Sequence, residues 1–140
     1  MGLDIGVTIK GKTEKGKAFL NDFARINGVD KESDDEYDFG YWRKAWNIRA
    51  RVYDIFKLKD YSDCDMSMSL EQLKTFEYKV LRFFLDEKNW EYDGKYFLFS
   101  WIETLPSIAV SIQNIHCFLE SATDQKLGNE DFVINFYDSY

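Results

Sequence analysis

The apolar positions between Trp42 and Leu85 fall into two helical stripes. With Trp42 at zero and about 100° per residue, Ala45, Trp46, Val52, Tyr53 and Phe56 share one arc, with Ile48 and Ile55 at its edge. Arg43, Lys44, Asn47, Arg51 and Asp54 take the opposite side. Counted from Leu70, Leu73, Phe76, Val80, Leu81, Phe84 and Leu85 gather in the same way. The spacing predicts two amphipathic helices within Tyr41 to Leu85, joined by a polar loop over Lys57 to Met68. At the end of that loop Ser69 can cap the second helix and Gln72 can return the bond, as a capping box requires.

Each stripe hides one charge, Arg49 in the first and Glu77 in the second. An antiparallel hairpin that sets Phe56 against Leu70 brings these two together, since each lies seven residues further from the turn (56 − 49 and 77 − 70). A lone buried charge is costly and a paired one much less so, so the pattern predicts an Arg49–Glu77 salt bridge. That pair either fixes helix register or, with Arg43, forms the ionic wall of a pocket between the hairpin and a sheet.

Period-two alternation supplies the sheet. Leu3, Ile5, Val7 and Ile9 alternate with Asp4, Gly6, Thr8 and Lys10, and Phe132 to Tyr137 is a second β-rich run. Trp90 and Tyr92 lead into the turn dipeptide Asp93-Gly94, with Tyr96 to Phe99 as the returning strand. Phe19, Leu20, Phe23 and Ile26 predict a short helix after a Lys-rich turn at Gly11 to Lys17, ending at Asn27-Gly28. A third long helix starts near Thr104, its cap, with Pro106 in the first turn. Its core face is Leu105, Ile108, Ala109, Ile112, Ile115 and Leu119, with Val110, Cys117 and Phe118 off it. The fold class is therefore α+β, a helical hairpin and a third helix packed on a small, mainly antiparallel sheet. At 140 residues one domain is expected.

Composition adds an acidic segment. Asp30, Glu32, Asp34, Asp35, Glu36 and Asp38 face only Lys31, which reads as a mobile acidic loop over residues 29–39. It either keeps the chain soluble or meets Lys and Arg groups of a partner. The net charge of −7 disfavours nucleic acid and anionic lipid as direct partners. Apolar runs fall well short of the roughly 20 residues that cross a bilayer, and no signal sequence precedes them. Cys64 and Cys117 then read as free thiols of a cytosolic protein. Aromatic residues make up 18% of the chain, enough for a core of rings, a contact surface, or both.

Catalytic chemistry finds little support. One histidine and two cysteines leave only a conceivable Cys64–His116 arrangement, and His116 itself reads as a satisfied residue beside the core. Asp63, Asp65 and Glu71 offer carboxylates, but they lack the glycine and the twelfth-position glutamate of a calcium loop. The sequence implies no metal, no cofactor and no enzyme.

Four segments carry a resemblance. Met1-Gly2-Leu3-Asp4, the block Tyr41-Trp42-Arg43-Lys44-Ala45 with Ile48, the helix start Ser69 to Leu73, and the terminus Phe136 to Tyr140 together resemble a family of small uncharacterised bacteriophage proteins. Members often carry histidine where this chain has Arg49, and no site residues carry over. The resemblance implies a phage accessory protein in the cytoplasm of a bacterial host. A small acidic protein of that origin without catalytic residues is expected to act as an inhibitor that occupies a basic surface of a host protein, a CRISPR nuclease blocked by DNA mimicry being one case. The expected contact surface is the acidic segment Asp30 to Asp38. The alternatives are a small-molecule or nucleotide-binding module, or weak enzyme, at Arg43, Arg49 and Glu77, and a self-associating assembly component.

Overall fold

The computed structural model describes residues 3–59, 64–96 and 101–139. It is an α+β fold built on one antiparallel five-stranded sheet in the order β2-β3-β1-β5-β4. The strands are β1 (Asp4–Gly11), β2 (Lys31–Ser33), β3 (Glu36–Arg43), β4 (Cys64–Met68) and β5 (Phe132–Ser139). The helices are α1 (Glu14–Asn27), α2 (Trp46–Phe56), α3 (Leu70–Thr75) and α4 (Trp101–Asp124). From α3 the chain runs on as a π-helix over Phe76–Leu81 and a 3₁₀ turn over Arg82–Leu85.

The alternation in β1 does what its period demands. Ile5, Val7 and Ile9 are fully buried beneath the helices, and Gly6 and Thr8 point to the other face. β5 places Phe132, Ile134, Phe136 and Asp138 on the helix side and Val133, Asn135, Tyr137 and Ser139 on the other. Phe118 of α4 packs among Phe19, Phe23, Phe39 and Phe132, with ring centroids 5.0 to 5.9 Å apart. The core is thus largely built of rings. Phe118 lies off the apolar face that the spacing predicts, yet it is fully buried while Val110 and Ala109 are exposed. Contact with the sheet rotates the buried stripe of α4 toward Phe118.

Several boundaries depart from the periodicity. α1 begins at Glu14, inside the expected Lys-rich turn, because the Thr13 hydroxyl oxygen accepts the Gly16 amide at 3.1 Å and caps it. It ends as expected, at Gly28 in the left-handed region. The acidic stretch is a β2–β3 hairpin, not a loop. Asp34 and Asp35 turn it, Asp35 at φ 62°, and the Asp38 amide donates to the Asp30 carbonyl at 2.8 Å. Tyr37 and Phe39, buried on the alternate face, supply the apolar anchor that composition alone obscured.

The first helix of the expected pair starts at Trp46 rather than Trp42. Tyr41, Trp42 and Arg43 end β3, with Trp42 opposite Ile5, and Lys44 turns the chain at φ 55°. α2 and the 70–85 segment pack together, where the Arg51 Nε donates to the Lys79 carbonyl at 2.9 Å. They are not a simple hairpin. The intervening residues contain β4, which adds to the edge of the sheet beside β5. The Ser69–Gln72 capping box is present.

Asp93 and Gly94 make the expected turn, closed by two 2.9 Å bonds between Tyr92 and Lys95. Tyr92 and Lys95 form a single bridge apart from the main sheet, and residues 97–99 of the expected returning strand lie outside the described residues. α4 begins at Trp101, one turn before the expected cap, so Thr104 and Pro106 lie within it. No helix among the described residues is long and apolar enough to cross a membrane.

Candidate functional site

Arg43, Arg49 and Glu77 occupy three separate places. Among the described residues no ion pair joins Arg49 and Glu77. The Arg49 Nε donates to Asp138 Oδ2 at 3.0 Å, the Tyr53 hydroxyl donates to the same oxygen at 2.8 Å, and the guanidinium lies 4.4 Å from the Tyr53 ring centre. Both charged side chains are buried. Glu77 is buried as its place in the stripe required, but Arg82 holds it in a two-pronged contact at 2.8 and 2.9 Å.

The π-helix is the physical reason for that switch. In an α-helix residues five apart are about 140° out of line, whereas the wider π turn, bonded i to i+5, brings them together. Arg82 therefore reaches Glu77 from one turn along the same rod, and Arg49 is left to the sheet. Arg43 pairs with Asp4 at 3.3 Å on the opposite face of the sheet. Among the described residues the three do not share a site.

Two places remain as candidate sites. One is a cleft of about 630 Å³ between the 70–85 rod and α4, lined by Leu70, Glu71, Lys74, Glu77, Tyr78, Arg82, His116 and Glu120 among others. His116 stands at its rim, half exposed, with Nε2 3.1 Å from Glu120 and Nδ1 3.7 Å from Glu77. It is not a core residue.

The other is the face of the sheet turned away from the helices. Among the described residues no helix packs on it. β1 contributes Asp4, β3 contributes Glu36, Asp38 and Tyr41, β4 contributes Asp65, and β5 contributes Asn135 and Tyr137. Some of these charges are held locally: the Tyr41 hydroxyl donates to Asp4 at 2.8 Å, and Glu36 accepts from Thr8 and Ser33. Asp65 accepts from Asn135. Asp35 lies 3.9 Å from Lys17.

Others have no counter-ion among the described residues. Asp30, Glu32, Asp34 and Asp38 pair with no cation among the described residues. Burial pushes the Asp38 carboxyl up against the opposing hydrogen bond from the Gly40 amide, and repulsion from Glu32 and Asp30 adds to the rise. Burial, followed by Asp38 and Glu32, pushes the Tyr137 hydroxyl up to about 12. The six acidic positions of the expected contact surface are thus brought onto one hairpin. The site extends across the sheet to Asp4, Tyr41 and Tyr137.

No protein-family model, curated protein or solved structure matches the chain.

The remaining candidates do not converge. Glu71 lines the cleft, Asp65 belongs to the open sheet face, and Asp63 lies outside the described residues, as does the side chain of Cys64. Cys117 is a free thiol within 3.2 Å of the Gln113 amide nitrogen. Sequence reasoning missed Asp138 and Tyr137. A signal for both was present: Asp138 has the parity of Phe132, Ile134 and Phe136, hence the buried face, and Tyr137 has the opposite parity.

Proposed function

We propose that this chain is an acidic binding protein that docks a basic surface of a protein partner on the open face of its sheet. The observation that carries it is the set of uncompensated carboxylates on the β2–β3 hairpin, whose mutual repulsion a cationic partner relieves. In the setting that the phage resemblance implies, the partner is a host protein that the complex inactivates, and a CRISPR nuclease whose DNA site the carboxylates occupy is one such target.

The test removes charge without removing shape. Asp30→Asn, Glu32→Gln and Asp38→Asn together spare Asp35, which holds the turn, and Glu36, which accepts from Thr8 and Ser33. Wild-type protein should capture its partner from bacterial lysate at low salt and release it as ionic strength rises, since exposed charges are screened beyond about 10 Å at 0.1 M. The triple variant should not capture it. Because the folded state disfavours the ionised Asp38, the variant should melt no lower than wild type at neutral pH. Capture at full strength by the variant, or binding indifferent to salt, refutes the proposal.

The cleft beside Glu77 favours a second role, binding of a small molecule. A melting-temperature gain with nucleotides or phosphorylated metabolites would support that role. Under the first, the gain comes only with the protein partner.

A further inference from the structure

The described part of the chain contains three sets in which a tyrosine hydroxyl donates to an aspartate and an arginine completes the group. Tyr53 and Asp138 hold Arg49, whose guanidinium lies 4.4 Å from the ring centre. Tyr92 donates to Asp54 at 2.5 Å, and Arg51 lies 5.4 Å from the same ring with Nη1 3.5 Å from the hydroxyl. Tyr41 donates to Asp4 at 2.8 Å, and the Arg43 Nε lies 3.3 Å from that carboxylate.

A related aromatic and acidic grouping on the open sheet face has no arginine among the described residues. Tyr137 stands opposite Gly6 and Asp38 opposite Thr8, on the same face on either side of β1, with Glu32 on the adjoining β2, and no cation among the described residues pairs with either carboxylate. Its ring rests over Gly6: a Cβ there would stand 2.6 Å from the Tyr137 hydroxyl and 2.8 Å from Cζ. The hydroxyl end of the ring therefore rests on the backbone of β1, on the face that no described helix covers, and the side chain is only partly buried.

Resting on the docking role proposed above, we propose that Tyr137, Asp38 and Glu32 form a receptor for an arginine side chain of the partner protein. A planar guanidinium stacks on an aromatic face and meets a carboxylate with two parallel donors. A lysine ammonium offers only a point charge. The site therefore distinguishes arginine from lysine, which a merely acidic surface does not.

The test uses two synthetic heptapeptides of alternating glycine and basic residues, one with arginine and one with lysine, titrated against the full chain by calorimetry. The arginine peptide should bind about fivefold tighter, a difference in keeping with stacking on a partly exposed ring. Tyr137→Phe should keep the preference, Tyr137→Leu should lose it, and Asp38→Asn with Glu32→Gln should weaken both peptides. In case Tyr137→Leu fails to fold, amide spectra of the wild type give an independent readout. The Gly6 and Tyr137 signals should move with the arginine peptide and much less with the lysine one.

Equal affinity for the two peptides, or a preference that survives Tyr137→Leu in a folded variant, overturns the arginine receptor. If both peptides bind equally and both are lost in the Asp38 and Glu32 variant, the docking role stands without it. If neither peptide binds, both proposals fall.

Discussion

Replacing Arg49 by Met leaves Asp138 buried with the Tyr53 hydroxyl as its remaining described donor. Breaking a buried pair from one side costs about 3–5 kcal/mol, and with these side chains 4% and 0% exposed, little water can compensate. Asp138→Leu should cost a similar amount, because it removes the carboxylate that the buried guanidinium meets at 3.0 Å. Arg49→Met with Asp138→Leu removes both charges and should cost less than either single change, since apolar replacement of a buried pair is often neutral or favourable. The coupling between the two sites is then at least about 3 kcal/mol, far above the roughly 0.5 kcal/mol within which independent sites add. Urea unfolding of wild type, both singles and the double, followed by circular dichroism, gives the four free energies. Additive losses would show that the pair is not a unit and would refute the argument. Arg49→Met combined with Glu77→Gln provides the contrast: these should add, because Glu77 belongs to Arg82.

Two further perturbations bear on the frame. The Asp131 carboxyl accepts from the Thr13 hydroxyl and the Gly128 amide, which hold it below the usual carboxylate range. Its folded pKa is depressed, so its contribution is present above the unfolded value of 3.8 and lost as pH falls through the lower folded value. Asp131→Asn should therefore lower the melting temperature at pH 6 and narrow its gap to wild type in strong acid. Equal gaps at both would count against the clip. Gly6→Ala should cost about 1–3 kcal/mol by forcing a methyl against the Tyr137 ring and the Gly40 carbonyl, and it should displace the Tyr137 ring signals. A wild-type melting curve and spectrum would contradict that packing.

Much of the fold was legible in short-range pattern. The alternation of Leu3 to Ile9, the Asn27-Gly28 stop, the Ser69–Gln72 box, the Asp93-Gly94 turn and the strand at Phe132 each depend on residues within a few positions of one another, and each is where the pattern put it. Even the burial of Arg49 and Glu77 followed from their place in an apolar stripe. Trp42 fits a helix or a strand equally well as a single apolar residue. Pairing with β1 decided for the strand.

By itself, then, the sequence determined which segments carry an apolar stripe, and hence an α+β fold with two charges buried in such stripes and an acidic segment. Only the tertiary structure decided the partners. A π turn redirected Glu77 to Arg82, the inward parity of β5 delivered Asp138 to Arg49, and pairing with β3 drew the acidic segment into a sheet with an open face. Burial is set by a residue's own polarity and the local period. Pairing depends on which distant segment the closed core brings within about 3 Å, and no periodicity along the chain encodes that distance.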